Sequence, residues 1–335
     1  MCPNDDEKRD GSLKSFCHKL PKTELHAHLN GSLSKETLIK LHKMNYSTEA
    51  GKCENLNMEN FESLTDVFET FNIAHSVTRN LESVYIATYD TIKEFYEDNV
   101  IYLELRSTPR AEEAMTKKDY ILSILRAMRS IQDEKLRIQT KLLISVNRKQ
   151  GLKAARENIH LAIELSKEHK EIVGIDLSGD PTKGDAFLNL LDEARKSGLK
   201  IAAHCAEVPN EKEAMDILKF KPDRLGHGTC IHPSLGGTDF LFETLLAYKI
   251  PVELCLTSNV KCKSVPNYDA HHFKYLYDSM HPICICTDDK GVFGTTLSRE
   301  LTLAAEYFNL REKECANFIA DSHNNYEQVK VIYAE

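Results

Sequence analysis

No stretch of this sequence approaches the roughly 18 consecutive apolar residues that a membrane-spanning helix needs. The opening residues, MCPNDDEKRDGSLKSF, are charged and lack the apolar core of a signal peptide. There is no Cys-x-x-Cys pair, no internal repeat, no Pro/Gly/Ser-rich linker and no G-x-G-x-x-G. Basic residues are dispersed and the formal net charge is −8. These absences argue against a membrane protein, a disulfide scaffold and a nucleic-acid or anionic-membrane surface. They leave room for a small anionic ligand, because one local arginine outweighs a distant field once ions screen it. The ten cysteines fall largely inside apolar segments such as VELCLTSN and PICICTDD, and are expected to be free, buried core residues. The expectation is a soluble, reduced, cytosolic protein forming a single domain over 1–335, with 1–16 as a flexible tail.

The 335 residues, 41% hydrophobic and 28% charged, suit a globular protein with a sizeable core. β-rich runs alternate with longer helical ones. Strands are expected at 23–29, 101–108, 138–147, 173–178, 200–206, 223–227, 251–257 and 283–288. Helices are expected at 80–99, 116–135, 151–169, 185–198, 210–220 and 236–249. In 116–135, Tyr120, Ile121, Ile124, Leu125, Met128 and Ile131 recur at helical spacing. Eight strands alternating with helices point to an α/β fold, a single (β/α)8 TIM-type barrel. The connection over 30–100 is long enough for extra helices, some lying over the top of the barrel. A doubly wound sheet, the rival, would call for a Gly-rich phosphate turn.

Along a strand, residues i and i+2 share a face. On 23–29, Leu25, Ala27 and Leu29 form the face expected against the helices, and His26 and His28 point into the barrel near its C-terminal rim. Two imidazoles on one face can hold one metal ion, but such a pair alone is weak evidence. Other strands end alike: AAHCAE brings His204 and then Glu207, RLGHG brings His227, and CICTDD brings Asp288 and Asp289. Singly, a strand-end His is more often structural, an Asp an N-cap and a Glu a helix-start residue. Five residues, His26, His28, His204, His227 and Asp288, at the rim of four strands favour a metal-dependent site, because that rim carries catalysis in this fold. His42, His160 and His169 read as solvated helix residues. The adjacent His271–His272 of AHHF, with rings expected to diverge, is left without a role.

Three histidines and an aspartate (His26, His28, His204, Asp288) suit one zinc per chain with a position open for water, whose pKa zinc lowers to about 7. Glu207 and His227 then serve proton transfer, and Asp289 the substrate. The reaction class is hydrolytic displacement at an electrophilic carbon.

ELHAHLNG, DLSGDP, HCAE, RLGHGT and CTDD together resemble the motif set of the adenosine and AMP deaminase family, among the metal-bearing amidohydrolase barrels. The likeness runs in order from about residue 20 to about residue 310. It implies zinc on His26, His28, His204 and Asp288, Glu207 protonating purine N1, and His227 and Asp289 contacting the attacking hydroxide or the ring. It also implies that the Gly179 N–H meets the purine, where a side chain would crowd the ring. The cytidine-type zinc deaminases differ, since their P-C-x-x-C is lacking.

Adenosine deaminases proper usually read H-x-H-L-D-G where this chain has His28-Leu29-Asn30-Gly31. An acidic residue beside the ribose would repel a phosphate by roughly 4 kcal/mol at 4 Å and an effective dielectric of 20, and Asn30 removes that charge. LRSTPR places Ser107, Thr108 and Arg110 at the same rim, a candidate phosphate cradle, although a lone arginine is more often a solvated loop charge. Both features resemble the adenosine deaminase-like subgroup that converts N6-methyl-AMP to IMP and methylamine. That resemblance adds His75 as a substrate contact and sets Asn147 at a ribose position where relatives carry an acidic residue. The expected partner is a small purine nucleotide, with no nucleic acid or membrane, acting on a monomeric chain. The alternatives are deamination of free adenosine, a catalytically silent nucleotide- or partner-binding relative, or another metal hydrolase such as a phosphoesterase.

Overall fold

The computed structural model describes residues 5–45 and 64–316. Its strands are β1 (Lys22–His28), β2 (Val100–Ser107), β3 (Gln139–Asn147), β4 (Ile172–Ser178), β5 (Lys200–Cys205), β6 (Arg224–His227), β7 (Val252–Leu254) and β8 (Ile283–Ile285). They lie in sequential order β1 to β8, each parallel to the next. The ring closes where Ala27 bridges Asp288: the His28 N–H donates to the Asp288 carbonyl at 3.0 Å, and the Asp288 N–H to the His26 carbonyl at 2.8 Å. This is the expected (β/α)8 barrel, and the sequential order rules out the doubly wound rival.

Outward residues of the strands, such as Leu103, Leu105, Leu142, Ile144, Val146, Ile175 and Leu177, pack under the helices in one core. The helix Lys117–Asp133 shows why its sequence folds so: Thr116 and Asp119 form a capping box, and Tyr120, Ile121, Ile124, Leu125, Met128 and Ile131 are buried. β7 and β8 are shorter than the expected 251–257 and 283–288. After Cys255 the chain turns into a buried helix, Leu256–Lys261, whose first residues continue the apolar run of PVELCLT, so that periodicity cannot mark where the strand stops.

Three expectations are corrected. A helix, Asp5–Lys19, occupies most of the expected tail: Leu13, Phe16 and Cys17, at i, i+3 and i+4, pack against the core, and the buried Lys22 ammonium donates to the carbonyls of Cys17, His18 and Leu20. Leu25 leaves the outer face, because a bulge between Glu24 and Ala27 turns it inward against Tyr102, Cys255, Cys284 and Cys286. His42, expected in solvent, is buried in the helix Lys35–Asn45.

The long connection holds that helix together with Leu64–Val77 and Leu81–Glu97. Phe71 reaches the short helix Lys290–Phe293 beyond β8, so part of this insertion lies at the C-terminal end of the barrel. All eight cysteines among the described residues are free, and all but Cys262 are buried. No helix among the described residues is long and apolar enough to cross a membrane.

Inside the barrel the strands carry charge. Arg106 donates to Asp176 and to Glu253, each at 2.8 Å; Arg224 donates to Glu253 at 2.6 Å and also to Glu104. All five side chains are buried. Burial alone would raise the two carboxylates, but Arg106 holds Asp176 well below its ordinary range, and Arg106 with Arg224 does the same for Glu253. This ionised layer is the floor on which the rim residues stand.

Candidate active site

Four ligand atoms meet above that floor. His26 Nε2 and His28 Nε2 each lie 3.2 Å from His204 Nε2. Asp288 Oδ1 is 3.4 Å from His26 Nε2 and 3.3 Å from His28 Nε2. A tetrahedron with nitrogens about 2.0–2.1 Å from zinc has edges of about 3.3–3.4 Å, so these four atoms fit one such ion. Glycine makes the approach possible: a Cβ on Gly226 would sit 2.8 Å from His26 Cε1.

The far sides of the rings fix what the near sides offer. His26 Nδ1 is 2.7 Å from Glu253 Oε2, and His204 Nδ1 is 2.8 Å from the Leu177 carbonyl and 3.2 Å from Asp176. These partners only accept, so both Nδ1 atoms carry hydrogen. Two Nε2 lone pairs and a carboxylate then converge within 3.4 Å, an arrangement that requires a positive centre among them. The pocket's potential agrees: against burial and Arg106, the carboxylates of Asp288 and Glu253 raise His26 to about 9. Burial holds His28 down at about 3.

His227 stands beside this set and overlaps it: His26, His204, His227 and Asp288 each place one ligand atom within 4.8 Å of the others. Its Nε2 is 3.8 Å from Glu207 Oε2 and 3.9 Å from Asp288 Oδ2. Asp288 Oδ2 also accepts from Ser258 Oγ at 2.7 Å. Burial in the cleft raises the Glu207 carboxyl, which His204 opposes and Asp288 reinforces. Asp289 is raised well above its ordinary value by burial and then by Asp288, and its Oδ1 has no hydrogen-bond partner. Its place depends on the glycine after Asn30, since a Cβ on Gly31 would fall 1.7 Å from Asp289 Oδ1.

On the β2 side a second group gathers. Asn30 Nδ2 donates to Tyr120 Oη at 3.4 Å, and Tyr120 Oη is 2.7 Å from Ser107 Oγ. Arg110 lies over the Tyr120 ring, 5.1 Å from its centroid, and donates to the carbonyl and hydroxyl of Thr78. Asn30 Oδ1, Arg110 Nε and Arg110 Nη1 are buried without a hydrogen-bond partner. His75 is open to solvent yet walled by protein: partial burial and then the Arg110 charge lower its pKa. Thr108, half-buried, follows Ser107. Asn147 is partly committed elsewhere, its Oδ1 accepting from the Lys149 N–H at 3.0 Å. Gly179 has φ +98°, and a Cβ there would lie 2.4 Å from that same Asn147 oxygen. The local fold therefore demands this glycine before any ligand is considered.

A family model described as adenosine deaminase matches residues 21–325. The chain belongs to the adenosine deaminase family. A Homo sapiens relative named N6-Methyl-AMP deaminase is 44% identical over 98% of this chain and 93% of its own length. The Arabidopsis N6-mAMP deaminase has the same architecture: its crystal structure superposes with a TM-score of 0.85 at 35% identity, covering 96% of this chain and 99% of the other. Arabidopsis structures titled as complexes with IMP and with GMP match equally, with TM-scores of 0.85 at 35% and 34% identity, covering 96% of this chain and 98% of theirs.

Within this adenosine deaminase barrel, the residues read from the sequence as metal ligands and proton-transfer groups come together, as do Asn30, Ser107 and Arg110. Reading by motif overlooked the charged floor, and it overlooked Thr78, Tyr120 and Ser258. The floor did leave a signal. Glu104, Arg106, Asp176, Arg224 and Glu253 interrupt strands whose neighbours are apolar, and a charge buried in a parallel sheet has to be paired.

Proposed function

We propose that this protein hydrolyses the 6-substituent of a purine nucleoside monophosphate, converting N6-methyl-AMP and water to IMP and methylamine. One observation carries the choice of a monophosphate over a nucleoside. Beside the His/Asp cluster, where a carboxylate would repel phosphate, stands Asn30, and the nearby Arg110 guanidinium keeps its buried Nη1 without a partner, while its Nε pairs with Glu112 only at 3.7 Å, beyond hydrogen-bond distance. The names of the human and Arabidopsis relatives, and the nucleotides in the Arabidopsis complexes, support the same reading.

His26, His28, His204 and Asp288 would hold the metal, taken to be zinc. When bound, zinc supplies a water whose pKa is lowered to about 7 and a Lewis acid beside the purine C6. Glu207, whose carboxyl burial shifts toward the protonated form, donates to purine N1, so that negative charge does not accumulate on the ring as C6 is attacked. Asp289 Oδ1 offers an acceptor to the base. The Gly179 N–H binds the purine, and Asn147 contacts the ribose through the amide nitrogen that its capping bond leaves available. Ser107, Thr108, Arg110 and His75 receive the phosphate, with Asn30 donating where an acidic residue would repel it.

The test is turnover of N6-methyl-AMP, AMP and adenosine in parallel, followed by ultraviolet absorbance. Fastest conversion of N6-methyl-AMP is expected. Preference for adenosine would overturn the monophosphate reading and leave the deaminase reading standing.

A further inference from the structure

His271 and His272, the pair with no role in the sequence reading, do not diverge. Their rings stack, with centroids 4.3 Å apart and planes at 22°, and both are buried. Both attach to His227. His272 Nε2 lies 2.7 Å from the His227 backbone carbonyl, which can only accept. It therefore holds the backbone of a residue that stands in the left-handed region, at φ 61°. His271 reaches the His227 ring through Asn259: His271 Nε2 is 3.0 Å from Asn259 Oδ1, and Asn259 Nδ2 is 3.1 Å from His227 Nδ1.

The direction of this chain is set at its far end. The Phe273 backbone N–H donates to His271 Nδ1 at 3.0 Å, and a backbone N–H has no other role available. His271 Nδ1 is thus an acceptor, and in a neutral ring the hydrogen sits on Nε2. That hydrogen goes to an Asn259 oxygen, so the Asn259 amide turns its NH2 toward His227. His227 Nδ1 must accept, which leaves the hydrogen of a neutral His227 on Nε2, the atom facing Glu207 and Asp288. Burial keeps the two stacked rings neutral, holding His271 well below its ordinary value and His272 at about 4.

We infer that Asn259 and His271 are positioning residues that lock His227 as the Nε2–H tautomer, so that His227 donates a hydrogen bond to the attacking oxygen instead of ligating the metal or accepting a proton. The same lock separates the two overlapping sets of four. His227 has no lone pair on the side facing His26 and Asp288, so the fourth ligand falls to His28. The kinetic arm of the test rests on the hydrolase reading given above, whereas the tautomer can be read without any substrate.

Long-range proton–nitrogen NMR of zinc-loaded, 15N-histidine-labelled protein distinguishes the two ring nitrogens, with His227 assigned by the signals lost in His227→Gln. The expected spectrum shows a protonated Nε2 and a bare Nδ1. A protonated Nδ1, or an Nε2 signature of metal coordination, overturns the inference. Asn259→Asp replaces the NH2 with an acceptor, so His227 should move its hydrogen to Nδ1. A wrong tautomer at a catalytic histidine costs about 10⁴-fold in kcat, and a loss of that order is expected here, with KM nearly unchanged and zinc retained. Wild-type kcat in a folded Asn259→Asp variant overturns the inference. Should that variant fail to fold, His271→Phe keeps the stacked ring and removes only the polarity of the chain. His227 should then populate both tautomers with a reduced kcat, and an unchanged His227 spectrum again overturns it.

Discussion

The floor beneath the histidine cluster and the rim beside Asn30 are built on opposite principles. On the floor, Glu253 accepts from Arg106, Arg224 and His26, and Asp176 accepts from Arg106 and Ser145; of the atoms named, only Arg106 Nε is without a partner. At the rim, Asn30 Oδ1, Arg110 Nη1 and Asp289 Oδ1 are buried with none, and Arg110 Nε has only the Glu112 carboxylate at 3.7 Å, beyond hydrogen-bond distance. A satisfied buried network holds its members in one geometry. An unsatisfied buried donor or acceptor costs about 1–3 kcal/mol, which a ligand of matching polarity relieves. The floor is thus organised to keep imidazole lone pairs aimed at one point, and the rim is organised to receive something polar.

Removing a ligand that the floor positions should have the largest effect. His26→Ala is expected to lose the metal and measurable turnover together, with metal analysis falling from about one ion per chain to none; an active, metal-free variant would break the distinction. Glu207→Gln keeps the floor and its four ligand atoms, so metal content should hold while kcat falls about 10²–10⁴-fold, the usual contribution of a proton-transfer group. Arg110→Ala touches only the rim. Loss of a hydrogen bond to a charged group, about 1.5–3 kcal/mol, should raise KM for the monophosphate about ten- to hundredfold, with nucleoside turnover and metal content unaffected. An equal loss on nucleoside and monophosphate would show that Arg110 holds the fold and not the phosphate.

The same contrast explains what could be read in advance. The barrel was legible because each strand is a compact apolar run between helical periods, and because histidines and acids at strand ends stand out against that background. Two features hid the rest. The bulge in β1 breaks the alternation that placed Leu25 outward, and nothing in TELHAHL marks it, since it depends on Glu24 accepting from the His26 and Thr287 N–H groups. The relay through Asn259 and His271 joins β6, a helix and a loop whose neighbourhood exists only once the ring is closed. The N-terminal helix was missed because its charged residues outweigh Leu13, Phe16 and Cys17 in any average, although those three share one face. Asn30 was visible only by comparison with a motif, and its meaning comes from Tyr120 and Arg110, which the fold delivers to it.

The most direct test of the account is the ratio of kcat/KM for N6-methyl-AMP to that for its free nucleoside, measured in the wild type and in Asn30→Asp. Restoring a carboxylate roughly 4 Å from the phosphate adds repulsion of about 4 kcal/mol at an effective dielectric of 20, equivalent to about a thousandfold. The account predicts a wild type that strongly favours the monophosphate and a variant whose ratio collapses by up to that factor, with metal content unchanged. A wild type that prefers the nucleoside, or an Asn30→Asp variant with the wild-type ratio, would contradict it.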